Sequence, residues 1–264
     1  MSAPHVGERH ALRVIKLGGR TQREPQLAGS IAAMVRTGER LVIVHGGGDQ
    51  ISDLQRQLGR EPQFVEGRRV TTVADLELIR MVLSGSTNKE LVSALLSAGV
   101  RAVGISGEDG GMLSGPRAFN GSLGEVGTPE RIDTSLLMLL LANGYTPVVS
   151  PVARHDETGR ALNVNGDDAA AAIALALGAS ELVFTVDVPG VLDRDGALIG
   201  QLSATQAEQM IAERAATGGM IAKLQAAQPA LLGGIDRVRI SDIASVANPN
   251  GGTTLLPPRL AQVP

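Results

Sequence analysis

The sequence predicts an α/β fold of three layers, α-β-α, around a mostly parallel central sheet. Three observations carry that expectation. Short apolar runs that end in glycine alternate with longer segments of helical period, the pattern of successive β-α-β units. The short runs are apolar on both faces, as strands covered by helices on each side must be. Large core residues are scarce: 43% of the 264 residues are hydrophobic, yet aromatics make up only 2%, with three Phe, one Tyr and no Trp. Leu, Val, Ile and Ala must therefore fill the core, which favours close helix-on-sheet packing, and the length suffices for one large domain or two closely joined lobes.

Residues 1–11 lack both a basic start and an apolar h-region, so they read as a short mobile tail and not as a signal peptide. Strands are expected at 12–17, 41–44, 102–105, 147–152, 182–186 and 238–240. The crossover helices are expected at 27–35, 51–58, 76–96, 135–141 and 168–177, ended by Gly38, Gly59, Gly99, Gly144 and Gly178. Ser203 and Gln206 form a capping box that opens another helix running to about Arg214, and a further helix begins near Gly219 with a bend at Pro229. The segment 107–133 breaks the rhythm with many glycines and two prolines, and it reads as an antiparallel lid or edge. No linker or repeat divides the chain. We expect one unit over 12–264, with an N-terminal lobe to about 179 and a C-terminal lobe from about 180.

The formal net charge of −3 and the absence of any long basic run argue against nucleic acid or a membrane surface as partner. The most apolar runs, 136–142 and 169–179, fall short of the ~18 residues that span a bilayer. With no cysteine, thiolate nucleophiles, disulfides and Cys-based metal sites are excluded, and a reducing, cytoplasmic location is the default.

In open parallel sheets ligands bind beyond the carboxyl ends of the strands, where Gly18-Gly19 and Gly46-Gly47-Gly48 lie. Two readings fit them: tight strand-to-helix turns, or loops whose backbone N–H groups approach anionic oxygens. Neither G-x-x-x-x-G-K-[ST] nor a dinucleotide G-x-G-x-x-G is present. Lysine usage is more informative. Of 24 basic residues only Lys16, Lys89 and Lys223 are lysine, the other 21 being arginine. Each retained lysine alone fits two readings: a surface residue kept by chance, or a position where a compact ammonium works and a planar guanidinium does not, phosphoryl transfer being such a task. Lys16 stands out because it lies inside an apolar strand, where an unused ammonium would be costly.

Asn163, Asn165, Asp167 and Asp168 precede the apolar helix. They fit an N-cap with acidic first-turn residues, and equally a site in which Asn163 touches substrate and Asp167 holds lysines. Asp187 ends a strand, where it either lines a nucleotide pocket or opens a turn. His5, His10, His45 and His155 lack metal-ligand spacing, so no protein metal site is assigned. No nucleophile elbow supports serine hydrolysis.

Read in order, Ile15-Lys16-Leu17-Gly18-Gly19, Val44-His45-Gly46-Gly47-Gly48, Gly67-Arg68-Arg69-Val70-Thr71, Asn88-Lys89, Asn163-Val164-Asn165-Gly166-Asp167 and Gly218-Gly219-Met220-Ile221-Ala222-Lys223 closely resemble the acetylglutamate kinases of the amino acid kinase family. The resemblance runs from about Leu12 to Leu256. It implies phosphorylation by ATP of the γ-carboxylate of N-acetyl-L-glutamate, giving N-acetyl-L-glutamyl 5-phosphate in arginine biosynthesis. On that mapping Lys16 and Lys223 stabilise the transition state and Asp167 organises them. Gly46 and Gly47 donate N–H groups to the acceptor, Arg69 clamps its α-carboxylate, and Asn163 completes the pocket. ATP lies over the C-terminal lobe, near 187–192 and 215–217, with Gly18, Gly19, Asp187, Gly190, Leu192 and Thr217 as its contacts, and Mg2+ is held chiefly by phosphates. Arg68 departs from the apolar residue of many relatives. The alternative acceptor is aminoadipate or glutamate carried on an acidic carrier protein. Because few residues precede the first strand, a homodimer insensitive to arginine is expected.

Overall fold

The computed structural model describes residues 11–257 except 66, 214, 215, 217 and 218. The expected tail therefore lies outside the described residues apart from Ala11, as do Thr217 and the neighbouring part of 215–217 except Ala216. In chain order the elements are β1 (Leu12–Leu17), α1 (Leu27–Arg36), β2 (Arg40–His45), α2 (Gly48–Gln57), β3 (Phe64–Val65), β4 (Arg68–Arg69) and α3 (Val73–Arg80). A π-helical segment, Met81–Thr87, leads into α4 (Asn88–Ser97), followed by β5 (Ala102–Ser106), β6 (Leu113–Gly115), β7 (Val126–Gly127), β8 (Arg131–Ile132) and α5 (Ser135–Ala142). Then come β9 (Thr146–Ser150), β10 (Val152–His155), β11 (Ala161–Val164), α6 (Gly166–Leu177), β12 (Glu181–Thr185), β13 (Gln201–Ser203), α7 (Ala204–Ala212), α8 (Gly219–Leu232), β14 (Arg237–Ser241) and β15 (Thr253–Leu256).

The middle layer is an eight-stranded sheet in the order β13-β15-β14-β12-β1-β2-β9-β5. Its pairings are parallel except β14 with β15, so the expected α/β class holds. The two-residue period of a strand sorts the core into two layers. Leu12 and Val14 of β1, Val42 and Val44 of β2 and Leu182 and Phe184 of β12 pack with α5, α6 and α8. The alternate residues Ile15, Leu17, Leu41, Ile43 and Val183 pack with α1 and α4. Several helices end at glycine as expected; Gly178 closes α6 in the left-handed region at φ 58°, where a Cβ is unwelcome. The capping box of Ser203 with Gln206 is present, though its helix stops at Ala212, and α8 runs through Pro229 to Leu232.

Three expectations need correction. The run 147–152 is two strands in two sheets, β9 ending at Ser150 and β10 starting at Val152. Pro151 between them has no N–H to give a ladder. The helix expected over 76–96 carries a π-helical segment between α3 and α4. The segment 107–133 contains one antiparallel pair of its own, β6 with β8, while β6 and β7 lie parallel to β10 and β11. These strands form a separate five-stranded sheet, β7-β11-β10-β6-β8.

The edge strand β5 shows how closely the helix layer sits on the sheet. A Cβ at Gly104 would fall 1.9 Å from Asn88 Oδ1 and 2.8 Å from Lys89 Nζ. Gly104→Ala is expected to lower the free energy of unfolding by about 1–3 kcal/mol through overpacking, as read from the urea midpoint.

Candidate active site

The strand period decides where Lys16 points. Following Leu12 and Val14, it falls on the face packed by α6 and α8, and both helices bring a partner there. Asp167, in the first turn of α6, lies 2.8 Å from Lys16 Nζ through Oδ1 and 3.5 Å from Lys223 Nζ, on α8, through Oδ2. The exposures of Lys16, Asp167 and Lys223 are 8%, 4% and 7%, so the three charges sit in a region of weak solvent screening. Asn165 caps α6, its Oδ1 accepting from the N–H of Asp167 at 2.8 Å and of Asp168 at 3.4 Å. The cap reading and the lysine-holding geometry expected of Asp167 coexist. Gly166 leaves room for the lysine stem, since a Cβ there would lie 3.1 Å from Lys16 Cε.

Burial pushes the Asp167 pKa up, but the charges of Lys16 and Lys223 outweigh it and hold the carboxyl below its usual range. For Lys223, burial and then the charge of Lys16 push the pKa down, against the attraction of Asp167. One carboxylate between two ammonium groups leaves this trio with a net positive charge that suits an anionic ligand.

These groups open into a cavity of about 650 Å3 lined also by Gly18, Gly19, Gly46, Gly47, Gly48, Asp187 and Gly219. Gly47 is glycine because of crowding: a Cβ would fall 2.5 Å from Leu83 Cδ2, in the π-helical segment beneath it. The Gly46 N–H donates to Leu17 O at 3.1 Å, so it continues the sheet and does not face a ligand. Among the described residues no protein acceptor takes the N–H groups of Gly47 and Gly48, which begin α2. Of the expected pair, Gly46 and Gly47, the N–H of Gly46 is thus bonded within the sheet, while that of Gly47 is left open together with that of Gly48. Thr185 holds the other loop, its Oγ1 accepting from the Gly18 N–H at 3.2 Å and donating to Lys16 O at 3.0 Å.

Arg69 stands one layer behind the cavity wall. Its guanidinium donates to Gly48 O at 2.8 Å, to Ser52 Oγ at 2.7 Å and to Gln55 Oε1. Asn163, on β11, donates from Nδ2 to Thr71 Oγ1 at 3.0 Å and does not line the cavity. Asp187 lies at the mouth, paired with Arg20 at 3.0 Å. Gly190 packs against Leu198 and Thr253, and Leu192 lines a separate pocket with Ile199 and Met210. Arg68 pairs with Asp168. Lys89 is remote from Asp167 and donates to Gly104 O at 2.9 Å and Asn88 Oδ1 at 3.0 Å, so two of the three lysines converge and the third ties α4 to β5. Sequence reasoning missed Thr185, placed Gly48 at the mouth of the site without a task of its own, and read Gly219 only as a helix start and motif member. Thr185 was detectable as a polar residue near the end of the strand expected at 182–186, whereas the place of Gly219 depends on where α8 docks.

Phosphate and carboxylate oxygens suit the carboxyl ends of such central strands, with cations opposite unbonded N–H groups at a helix start, which makes this an α/β protein with a site of the anion-binding kind. The family model of the amino acid kinase family matches residues 11–242, and the chain belongs to that family. It is similar to acetylglutamate kinase of Geobacillus stearothermophilus, with 43% identity over 247 residues covering 92% of this chain and 95% of that protein. Acetylglutamate kinase of Wolinella succinogenes is 39% identical over 87% of this chain and 82% of its own. Among solved structures, the Streptococcus mutans protein smu.665 superposes with a TM-score of 0.85 at 28% identity, covering 94% of this chain and 99% of that one. Giardia carbamate kinase, at 15% identity and a TM-score of 0.71 over 95% of this chain and 100% of its own, shares the fold.

Proposed function

We propose that this enzyme transfers the γ-phosphoryl group of ATP to the γ-carboxylate of N-acetyl-L-glutamate in arginine biosynthesis, forming N-acetyl-L-glutamyl 5-phosphate and ADP. The carrying observation is Asp167 between Lys16 and Lys223, at 2.8 and 3.5 Å, beside the unbonded N–H groups of Gly47 and Gly48. Relatives named acetylglutamate kinase, similar over most of the chain, support the free acceptor over a carrier-linked one.

In this reading the acceptor carboxylate attacks the γ-phosphorus, its oxygen forming the new P–O bond while the bond from that phosphorus to the β–γ bridging oxygen breaks, the oxygen and the electron pair leaving with ADP. A carboxylate is already nucleophilic, so no general base is needed, and positioning with charge neutralisation carries the catalysis. Lys16 and Lys223 face the charge that develops on the moving group. Asp167 keeps both ammonium groups in place, and the N–H groups at the start of α2 hold the acceptor. Arg69, held by Gly48, Ser52 and Gln55, and Asn163, held by Thr71, each keep N–H groups beyond these bonds with which to meet the acceptor. ATP lies toward Gly18, Gly19, Asp187 and the start of α8, with Gly190, Leu192 and Thr217 as outer contacts. Magnesium, which neutralises phosphate charge when bound, suits phosphate ligands here: Asp167 and Asp187 are engaged by cations, and among the described residues no three His, Cys, Asp or Glu groups converge.

The N-terminal lobe, about 12–179, takes the acceptor and the C-terminal lobe, about 180–264, the nucleotide. The assembly we propose is a homodimer insensitive to arginine, in the cytoplasm. The free edge of β5, beside the exposed Met81 and Leu96 of the adjoining helix layer, offers a surface for a second copy, and among the described residues no helix is long and apolar enough to cross a membrane. ADP formation measured with N-acetyl-L-glutamate, L-glutamate and L-aminoadipate tests the function. Turnover is expected with the first at least about a hundredfold above the others, since a site built around an amide leaves polar groups unpaired without it. Equal turnover of the three would overturn the choice of acceptor.

A further inference from the structure

The Gly46 carbonyl is held from the protein side by two side chains to which the chemistry above gives no task. His45 ends β2 in register with Leu41 and Ile43, on the face packed by α4, and its ring is fully buried. Its Nδ1 lies 2.8 Å from Gly46 O and its Nε2 lies 3.0 Å from Asn88 Nδ2. The protons follow from the neighbours. Asn88 Oδ1 accepts from Lys89 Nζ at 3.0 Å while Nδ2 faces Val148 O at 2.9 Å, so the amide cannot be turned the other way round. Its nitrogen donates to His45 Nε2, which leaves the ring hydrogen on Nδ1, donating to Gly46 O. Burial pushes the His45 pKa down to about 4, and the ring stays neutral in this tautomer. The second donor is Gln22, whose Nε2 lies 2.9 Å from Gly46 O and 3.3 Å from Gly18 O, joining the two glycine loops.

A trans peptide points its C=O and N–H in opposite directions. The Gly46 carbonyl and the Gly47 N–H belong to one such plane, so turning the carbonyl toward His45 and Gln22 turns the N–H away from them, where Gly47 lines the cavity. Glycine has no side chain to hold that plane. We propose that His45 and Gln22 are positioning residues that fix the Gly46–Gly47 peptide and thereby aim the Gly47 N–H at the acceptor carboxylate, an inference that rests on reading this loop as the acceptor cradle.

The test is the Michaelis constant of each substrate, with thermal unfolding of each variant in parallel. His45→Leu is expected to raise KM for N-acetylglutamate about tenfold and to leave KM for ATP within about twofold, the scale of one lost, well-aimed hydrogen bond. His45→Asn, whose amide nitrogen replaces Nδ1 as donor, restores acceptor KM to within about threefold of wild type. Gln22→Met, at a half-buried loop position, raises acceptor KM about threefold and decides the matter if His45→Leu does not fold. An unchanged acceptor KM in the folded variants, or both KM values rising together, overturns the positioning role while leaving the function intact. Wild-type enzyme without turnover overturns the acceptor reading and this inference with it.

Discussion

Asp167→Asn is expected to lower kcat by about a hundred- to a thousandfold, the scale of removing one organised electrostatic element from a transition state. The substitution keeps the volume and deletes the charge that separates Lys16 from Lys223. Two buried ammonium groups then repel, and breaking a buried pair in this way also costs about 3–5 kcal/mol of stability. The pH profile should change in a defined direction. If, as proposed, Lys223 acts as an ammonium, activity falls as pH rises through the Lys223 pKa, which burial and Lys16 already depress and Asp167 opposes. Without Asp167 that pKa drops further, and the alkaline limb of kcat moves to lower pH. In the wild type, the stability that Asp167 contributes is fully present above the ordinary carboxylate pKa and is lost as pH falls through its depressed folded value. An alkaline limb that stays put in Asp167→Asn would contradict the coupling.

Arg239→Met is expected to destabilise the fold by about 3–5 kcal/mol, measured by urea denaturation, with kcat of the folded enzyme unchanged. Arg239 is fully buried on β14. Its guanidinium donates to Glu181 Oε1 at 3.0 Å and to the carbonyls of Val246, Asn248 and Gly251 at 2.7, 2.6 and 2.9 Å. One side chain thereby organises the loop between β14 and β15, and methionine would leave those buried carbonyls without a donor. Glu181 would keep Arg13 at 3.1 Å and Arg237 at 3.3 Å, so the loss should come chiefly from the loop. A shift of under about 1 kcal/mol would mean that water replaces the guanidinium.

Much of this architecture is legible in the sequence because it is local. The runs that became β1, β2, β5 and β12 are largely apolar, the lysine at position 16 is conspicuous within one of them, and β14 alternates Val238 and Ile240 with Arg237 and Arg239. The lysine bias anticipates two members of the cation pair, yet it weights Lys89 equally, and only the packing of α4 on β5 separates a clamp from a catalytic group. What escapes the sequence is set by distant pairings. The strands of 107–133 find partners in β10 and β11 rather than in one another alone. The Gly46 N–H is taken by Leu17, a contact fixed by the register of β1 with β2. Arg69 reads as a free clamp until Ser52 and Gln55 of α2 are seen to hold it. The π-helical segment that brings Leu83 under Gly47 has no signature in the helical spacing of 76–96.

The most direct test of the central claim, that two lysines held by one carboxylate drive phosphoryl transfer to a carboxylate, is hydroxylamine trapping with MgATP and N-acetylglutamate, comparing wild type with Lys16→Arg. Hydroxylamine displaces phosphate from an acyl phosphate and leaves a hydroxamate that can be counted. The account predicts hydroxamate from the wild type and a loss of about a hundredfold or more in Lys16→Arg, because a planar guanidinium cannot reproduce the compact ammonium that meets Asp167 at 2.8 Å. Hydroxamate formed equally by both proteins, or by neither, would contradict it.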